Sequence, residues 1–93
     1  MNAREESVER YLQTKVKELG GVCEKVTVLG RRGFFDRLVV LPGGKILFFE
    51  LKRPKGGRLS PHQIQRILQY RRLGAVVAVI SNSADIDRLL LVS

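Results

Sequence analysis

Asp36, Glu50 and Lys52 are the residues of this chain whose types and spacing can do chemistry together. Glu50 and Lys52 flank Leu51 at the end of an apolar run, Ile46-Leu47-Phe48-Phe49, that reads as a buried strand. Side chains alternate along a strand, so Glu50 and Lys52 point to one side together. Burying either charge alone is costly, so the pair requires mutual contact, a bound cation or water in a cleft. Asp36 precedes a second apolar run, Leu38-Val39-Val40-Leu41, and Pro42-Gly43-Gly44-Lys45 between the runs favours a tight hairpin turn. Pairing the runs as a hairpin brings Asp36 near Glu50. Two carboxylates can both stay ionised when a divalent cation sits between them, and hard oxygen ligands suit Mg²⁺ or Mn²⁺. A lysine two residues on can then hold a water or an anionic transition state.

The elements that must position these groups are legible on either side. Residues 3 to 19 read as an amphipathic helix, with Val8, Leu12, Val16 and Leu19 on one stripe and Gly20 as the stop. Asn2 and Glu5 have the spacing of a capping box. Residues 22 to 29 read as a first strand with both faces at least partly covered. Gly30-Arg31-Arg32-Gly33 is a basic loop whose glycines let the backbone approach a phosphate and whose arginines neutralise it, although an ordinary turn has the same composition. Phe34 and Phe35 beside a strand suit a core or an interface better than stacking on an exposed base.

After Lys52, Arg53-Pro54-Lys55-Gly56-Gly57-Arg58 forms a second basic loop of the kind that lines a substrate groove. Ser60-Pro61-His62-Gln63 opens a helix, with Ser60 as N-cap, Pro61 at the first helical position and Gln63 at the capping-box position. That helix continues through Ile64, Ile67, Leu68 and Leu73, holds Gln65, Arg66, Gln69, Arg71 and Arg72 mostly outward, and ends at Gly74. His62 has no partner histidine or cysteine and reads as a polar residue near bound phosphate. Residues 75 to 80 are apolar on both faces, as expected of a buried strand running parallel to the Glu50 strand and reached by a crossover. Asn82 or Ser83 caps a last short helix that turns Ile86, Leu89 and Leu90 inward, and Asp85 and Asp87 in its first turn favour the helix dipole. The expected fold is α/β, a small mixed sheet flanked by helices in the order αβββαβα, built as one domain over residues 1–93.

The ordered set Gly33-Phe34-Phe35-Asp36-Arg37-Leu38-Val39, Gly44-Lys45, Phe49-Glu50-Leu51-Lys52-Arg53-Pro54 and Leu59-Ser60-Pro61-His62-Gln63 resembles the PD-(D/E)XK nuclease superfamily. Within it, the closer likeness is to the virus-type replication-repair nuclease (VRR-NUC) domain. The resemblance covers the middle third of the chain, and the flanking helices fit it. One departure is Phe35, where the family usually has proline; proline there sets the backbone and is no ligand, so altered loop geometry is expected more than lost chemistry. The resemblance implies a restriction-endonuclease-like core. It further implies an endodeoxyribonuclease that uses Mg²⁺ or Mn²⁺ to hydrolyse phosphodiesters, selects branched or Holliday-junction-like DNA and works as a homodimer.

On that resemblance Asp36, Glu50 and the backbone carbonyl of Leu51 are the metal ligands, and Lys52 positions the attacking water or stabilises charge on the phosphorane. Gln63 faces the site as well as capping its helix. A glutamate on the first helix completes the metal site in the wider superfamily, and its distance from Gly20 matches Glu9 best, with Glu5 and Glu6 behind it. A solvated surface glutamate is the plain alternative for Glu9.

Seventeen Lys and Arg against nine acids give a net charge of +8 on 93 residues, a positive field that concentrates polyanions. The charge clusters beside the carboxylates, with Arg31 and Arg32 before Asp36 and Arg53, Lys55 and Arg58 after Glu50, so these five are the expected DNA contacts. The 44% apolar content supports a core, and no run approaches the ~20 apolar residues of a membrane helix. The N-terminus lacks the apolar segment of a signal peptide, which points to a cytoplasmic chain and to no membrane partner, and the family resemblance implies the cytosol of a bacterial or phage-infected cell. Cys23 alone forms neither an internal disulfide nor a zinc site and reads as a small core hydrophobe. Two readings compete with the nuclease: a nucleic-acid-binding module with a decayed site, and a regulatory or assembly subunit of phage or mobile-element replication. Intact Asp36, Glu50 and Lys52 argue against decay, since a binding module has no need of acids facing phosphate.

Overall fold

A computed structural model describes residues 3–30, 35–52 and 57–91 of the chain. In chain order they form α1 (Ala3–Glu18), β1 (Val22–Lys25), β2 (Arg37–Leu41), β3 (Lys45–Leu51), α2 (Pro61–Arg72), β4 (Val76–Ile80) and α3 (Ser83–Leu91). The sheet order is β1-β2-β3-β4. The first three strands are an antiparallel meander, and β4 joins β3 in parallel after the α2 crossover. This is the expected αβββαβα arrangement with a mixed sheet.

The hairpin between β2 and β3 follows from its turn residues. Gly44 N donates to Leu41 O at 3.2 Å, Pro42 occupies the second turn position, and Gly43 follows at φ +90°. That is a type II turn, in which glycine supplies the positive φ at no steric cost. The turn sets the register Arg37↔Phe49, Leu38↔Phe48, Val39↔Leu47, so the chain entering β2 arrives beside the end of β3.

Alternation then assigns each side chain to a layer. Val39 and Leu41 of β2, Leu47, Phe49 and Leu51 of β3, and Ala78 and Ile80 of β4 pack with Leu12 and Val16 of α1 and Ile86 and Leu90 of α3. On the other face Phe35, Ile67 and Val77 are buried together with Phe48, Leu59 and Tyr70 around them. The sheet is thus covered by α1 and α3 on one side and by α2 on the other. Tyr11 of α1 donates to Asp87 of α3 at 2.6 Å, so Asp87 joins two helices; of the two acids expected in the first turn of α3 only Asp85 lies there, Asp87 falling just beyond it. Asn82 is the residue that caps α3, its Oδ1 accepting from Asp85 N at 2.9 Å.

Three expectations are corrected. The first strand ends at Lys25 and not at residue 29, because its partner β2 begins at Arg37; one further bond, from Val26 N to Asp36 O at 3.0 Å, exhausts the ladder, and Leu29 is 97% exposed. In α2 only Ile67 is buried, while Ile64, Leu68 and the capping Leu73 are exposed, because one helix over a narrow sheet face turns in Ile67 and Tyr70 and leaves its neighbours outside. Leu19 likewise lies past the end of α1 and is exposed. Cys23 is half-buried against the first core, and burial pushes its thiol up to about 11, so it behaves as an apolar side chain. The Asn2–Glu5 capping box falls outside the described side chains. Among the described residues no helix is long and apolar enough to cross a membrane.

Candidate active site

The site is built where the β2–β3 ladder runs out. Asp36 N still donates to Phe49 O at 3.1 Å, which continues the pairing by one residue. Beyond it Leu51 N has no β2 partner, and the Asp36 carboxylate takes its place: Oδ2 accepts from Leu51 N at 2.9 Å. A strand-edge amide that would otherwise go unpaired thereby fixes an acid.

Glu50 lies on the α2 face of β3, opposite in direction to Phe49 and Leu51. It is 3% exposed. Its Oε1 accepts from Gln63 Nε2 at 2.6 Å and lies 3.7 Å from Lys52 Nζ. Its Oε2 is buried with no hydrogen-bond partner among the described residues. Burial, then the charge of Asp36 beside it, pushes the Glu50 carboxyl up to about 7 against an ordinary 4.5, and Lys52 offsets only part of this. Glu50 and Lys52 therefore share a face as strand alternation requires. The Lys52 end of β3 is fastened from the other side, where Lys52 N donates to Ile80 O at 2.9 Å.

Gln63 reaches Glu50 because of how α2 starts. Ser60 caps the helix, its Oγ accepting from Gln63 N at 3.1 Å, and Gln63 Oε1 accepts from Ser60 N at 2.8 Å. With the amide oxygen held in this capping box, the amide nitrogen is aimed at the carboxylate. One side chain thus closes the capping box and contacts Glu50. His62 is exposed on the first turn, and Arg58 is exposed just before the cap. Arg31, Arg32, Arg53 and Lys55 lie outside the described residues.

Glu9 is not brought to this pair. Its Oε1 pairs with Arg37 Nη2 on the α1 side of the sheet, the face opposite Glu50, and no group of three or more His, Cys, Asp or Glu suited to one metal ion forms among the described residues. Glu5 and Glu6 fall outside the described side chains. Arg37 is the residue that motif reading passed over. It is 4% exposed, donates from Nη1 to Asp36 O at 3.0 Å, and leaves Nε without a partner among the described residues. Burial lowers its guanidinium's hold on the proton. Period-two alternation was the available signal, since Arg37 shares a face with Val39 and Leu41 and a cation there needs a partner.

Phe35, the departure from the family's proline, is 1% exposed and belongs to the core on the α2 side. Its ring centroid lies 5.3 Å from Phe48 and 5.1 Å from Tyr70, the latter pair at an interplanar angle of 79°. The aromatic cluster braces the chain just before Asp36, so the backbone is set there by packing.

The donor set fits a hard divalent cation. Two carboxylates meet at one strand end, one of them keeps a buried oxygen unused among the described residues, and a divalent ion there would offset the burial and the Asp36 charge that raise Glu50.

Comparison with known proteins bears on the fold and the family. No protein-family model matches the chain. A relative from Acyrthosiphon pisum secondary endosymbiont phage 1, described as "Putative nuclease p44", is 41% identical over 87 residues, covering 94% of this chain and 91% of the relative. A solved structure described as "VRR_NUC domain" superposes with a TM-score of 0.89 at 33% identity, covering 97% of each chain. With the fold and a relative matched over 91% of its length in agreement, the chain belongs to the VRR-NUC domain family of nuclease-like proteins.

Proposed function

We propose that this protein is a Mg²⁺- or Mn²⁺-dependent DNA endonuclease that hydrolyses phosphodiester bonds. The observation that carries the reading is the convergence of Asp36, Glu50 and Lys52 at one strand end, with Glu50 Oε2 buried and without a hydrogen-bond partner among the described residues. Asp36, Glu50 and the Leu51 carbonyl would hold the cation. When bound, it supplies a Lewis acid and an acidified water for attack on phosphorus.

The chain's own residues do the rest. Leu51 N orients the Asp36 carboxylate, and Gln63 orients that of Glu50, so both acids are held before substrate arrives. Lys52 is partly exposed, and its ammonium is available to hold the water or to stabilise charge on a non-bridging phosphate oxygen. The net charge of +8 favours a polyanionic substrate, and Arg58 with Arg31, Arg32, Arg53 and Lys55 would grip its backbone. Selection of branched or Holliday-junction-like DNA, a homodimer presenting two sites, and action in the cytosol of a bacterial or phage-infected cell rest on the family resemblance. Exposed Ile64 and Leu68 on α2 are apolar side chains that a dimer could cover.

The test is cleavage of labelled four-way junction, flap and linear duplex DNA with Mg²⁺, with Mn²⁺ and with chelator, alongside Lys52→Ala. Metal-dependent cutting by the wild type, at least about 100-fold slower in the variant, is expected. Tight binding with no cutting under either metal would replace this reading with a non-catalytic nucleic-acid-binding module.

A further inference from the structure

We infer that Arg37 and Glu9 form a positioning pair for Asp36, acting through the Asp36 main chain from the far side of the sheet. The inference rests on Asp36 being a site residue.

Three observations lead to it. Arg37 stands opposite Phe49 in the β2–β3 register and shares the α1 face with Val39 and Leu41, whereas Glu50 faces α2. A guanidinium buried to this degree needs a counter-charge, and Glu9 supplies it. With one arm of the planar fork on Glu9, the other arm points at the Asp36 carbonyl. The Glu9 carboxylate thereby holds Arg37, Arg37 holds the Asp36 carbonyl, and the Asp36 side chain reaches Leu51 N from a backbone restrained at that carbonyl. Asp36 O also accepts from Val26 N, so the same oxygen is shared between the edge strand and the arginine.

The readout is the Leu51 amide, whose bond to Asp36 Oδ2 reports where that carboxylate lies without any metal present. Hydrogen exchange at Leu51 is measured by NMR in chelator, relative to amides within the β2–β3 ladder such as Val39. Arg37→Met is expected to speed Leu51 exchange about tenfold beyond any change at the ladder amides, the loss of one well-made hydrogen bond. Glu9→Gln is expected to act in the same direction, and to add nothing in the Arg37→Met background. Arg37→Lys keeps the charge and loses the fork; it is the variant to read if Arg37→Met does not fold, and the same acceleration is expected of it.

Mn²⁺ affinity of the same proteins, by calorimetry, separates the alternatives. A Glu9→Gln loss of affinity that is equal in the wild-type and Arg37→Met backgrounds, with Leu51 exchange unchanged, would make Glu9 a ligand and overturn the inference. Leu51 exchange that merely tracks the ladder amides in every variant would reduce the pair to general stability and overturn it too. A wild type that binds no Mn²⁺ would count against the metal-dependent reaction, while the chelator experiment still decides the positioning role.

Discussion

Gln63 joins the start of α2 to Glu50, its Nε2 2.6 Å from Glu50 Oε1 while its Oε1 accepts from Ser60 N. The cap and the acid are therefore separable by mutation. Ser60→Ala removes the hydroxyl that accepts from Gln63 N and is expected to cost about 1 kcal/mol of stability with cleavage little changed. Gln63→Ala removes the support of Glu50 and is expected to slow cleavage about 10- to 100-fold. Thermal unfolding and initial cleavage rates on the two variants decide this; equal effects of both on cleavage would mean that the helix start, and not the amide, matters.

Glu50 also makes stability depend on pH. In the metal-free protein its carboxyl is pushed up to about 7, while in the unfolded chain it titrates near 4.5. Between these values the folded state holds a proton that the unfolded state has released, so stability from this group is fully present below about 4.5 and declines as pH rises through about 7. The total is on the order of 3 kcal/mol. Urea unfolding in chelator from pH 5 to 8 is expected to show the decline in the wild type and its loss in Glu50→Gln, and added Mg²⁺ is expected to shrink it in the wild type by favouring the ionised form.

Phe35 gives a contrast between packing and chemistry. Phe35→Ala empties the centre of the Phe48–Tyr70 cluster and is expected to destabilise by roughly 3–5 kcal/mol. Phe35→Pro, which restores the family residue, loses the same ring and is expected to be destabilised as well. Calorimetric unfolding tests both, and an unchanged melting temperature in Phe35→Pro would show that the loop can repack around proline.

Gly21 is required by close approach. A Cβ there would lie 2.5 Å from Val40 O and 3.0 Å from a Leu41 methyl. Gly21→Ala must push β1 off β2, with an expected loss of about 1–3 kcal/mol. Because Val26 N at the other end of that pairing donates to Asp36 O, exchange at Val26 is expected to rise in the same variant.

Much of this was legible from residue order alone. Period-two alternation in two short runs, with a Pro-Gly-Gly turn between them, was enough to bring Asp36 to Glu50, and Ser60-Pro61-His62-Gln63 spelled out its own cap. The Glu9 assignment illustrates the limit. The resemblance and the distance from Gly20 singled out Glu9, but which sheet face the first helix covers is a tertiary fact, and Arg37 on that face pairs with the carboxylate. The exposed Ile64 and Leu68 were hidden for a related reason: apolar spacing shows a stripe and not how much of it a narrow sheet covers. The length of β1 depended on where its partner began, which no local pattern in residues 22 to 29 contains.

The bond from Lys52 N to Ile80 O has a consequence for biosynthesis. The strand end that carries Glu50 and Lys52 is tied down by β4, near the C-terminal end of the described chain, and Glu50 is held by a helix that follows it. A nascent chain that has emerged only through residue 60 already contains Asp36, Glu50 and Lys52 yet lacks both restraints. The acids and the lysine gain their arrangement only when translation has delivered α2 and β4, so hydrolytic competence arrives with completion of the fold and not before it.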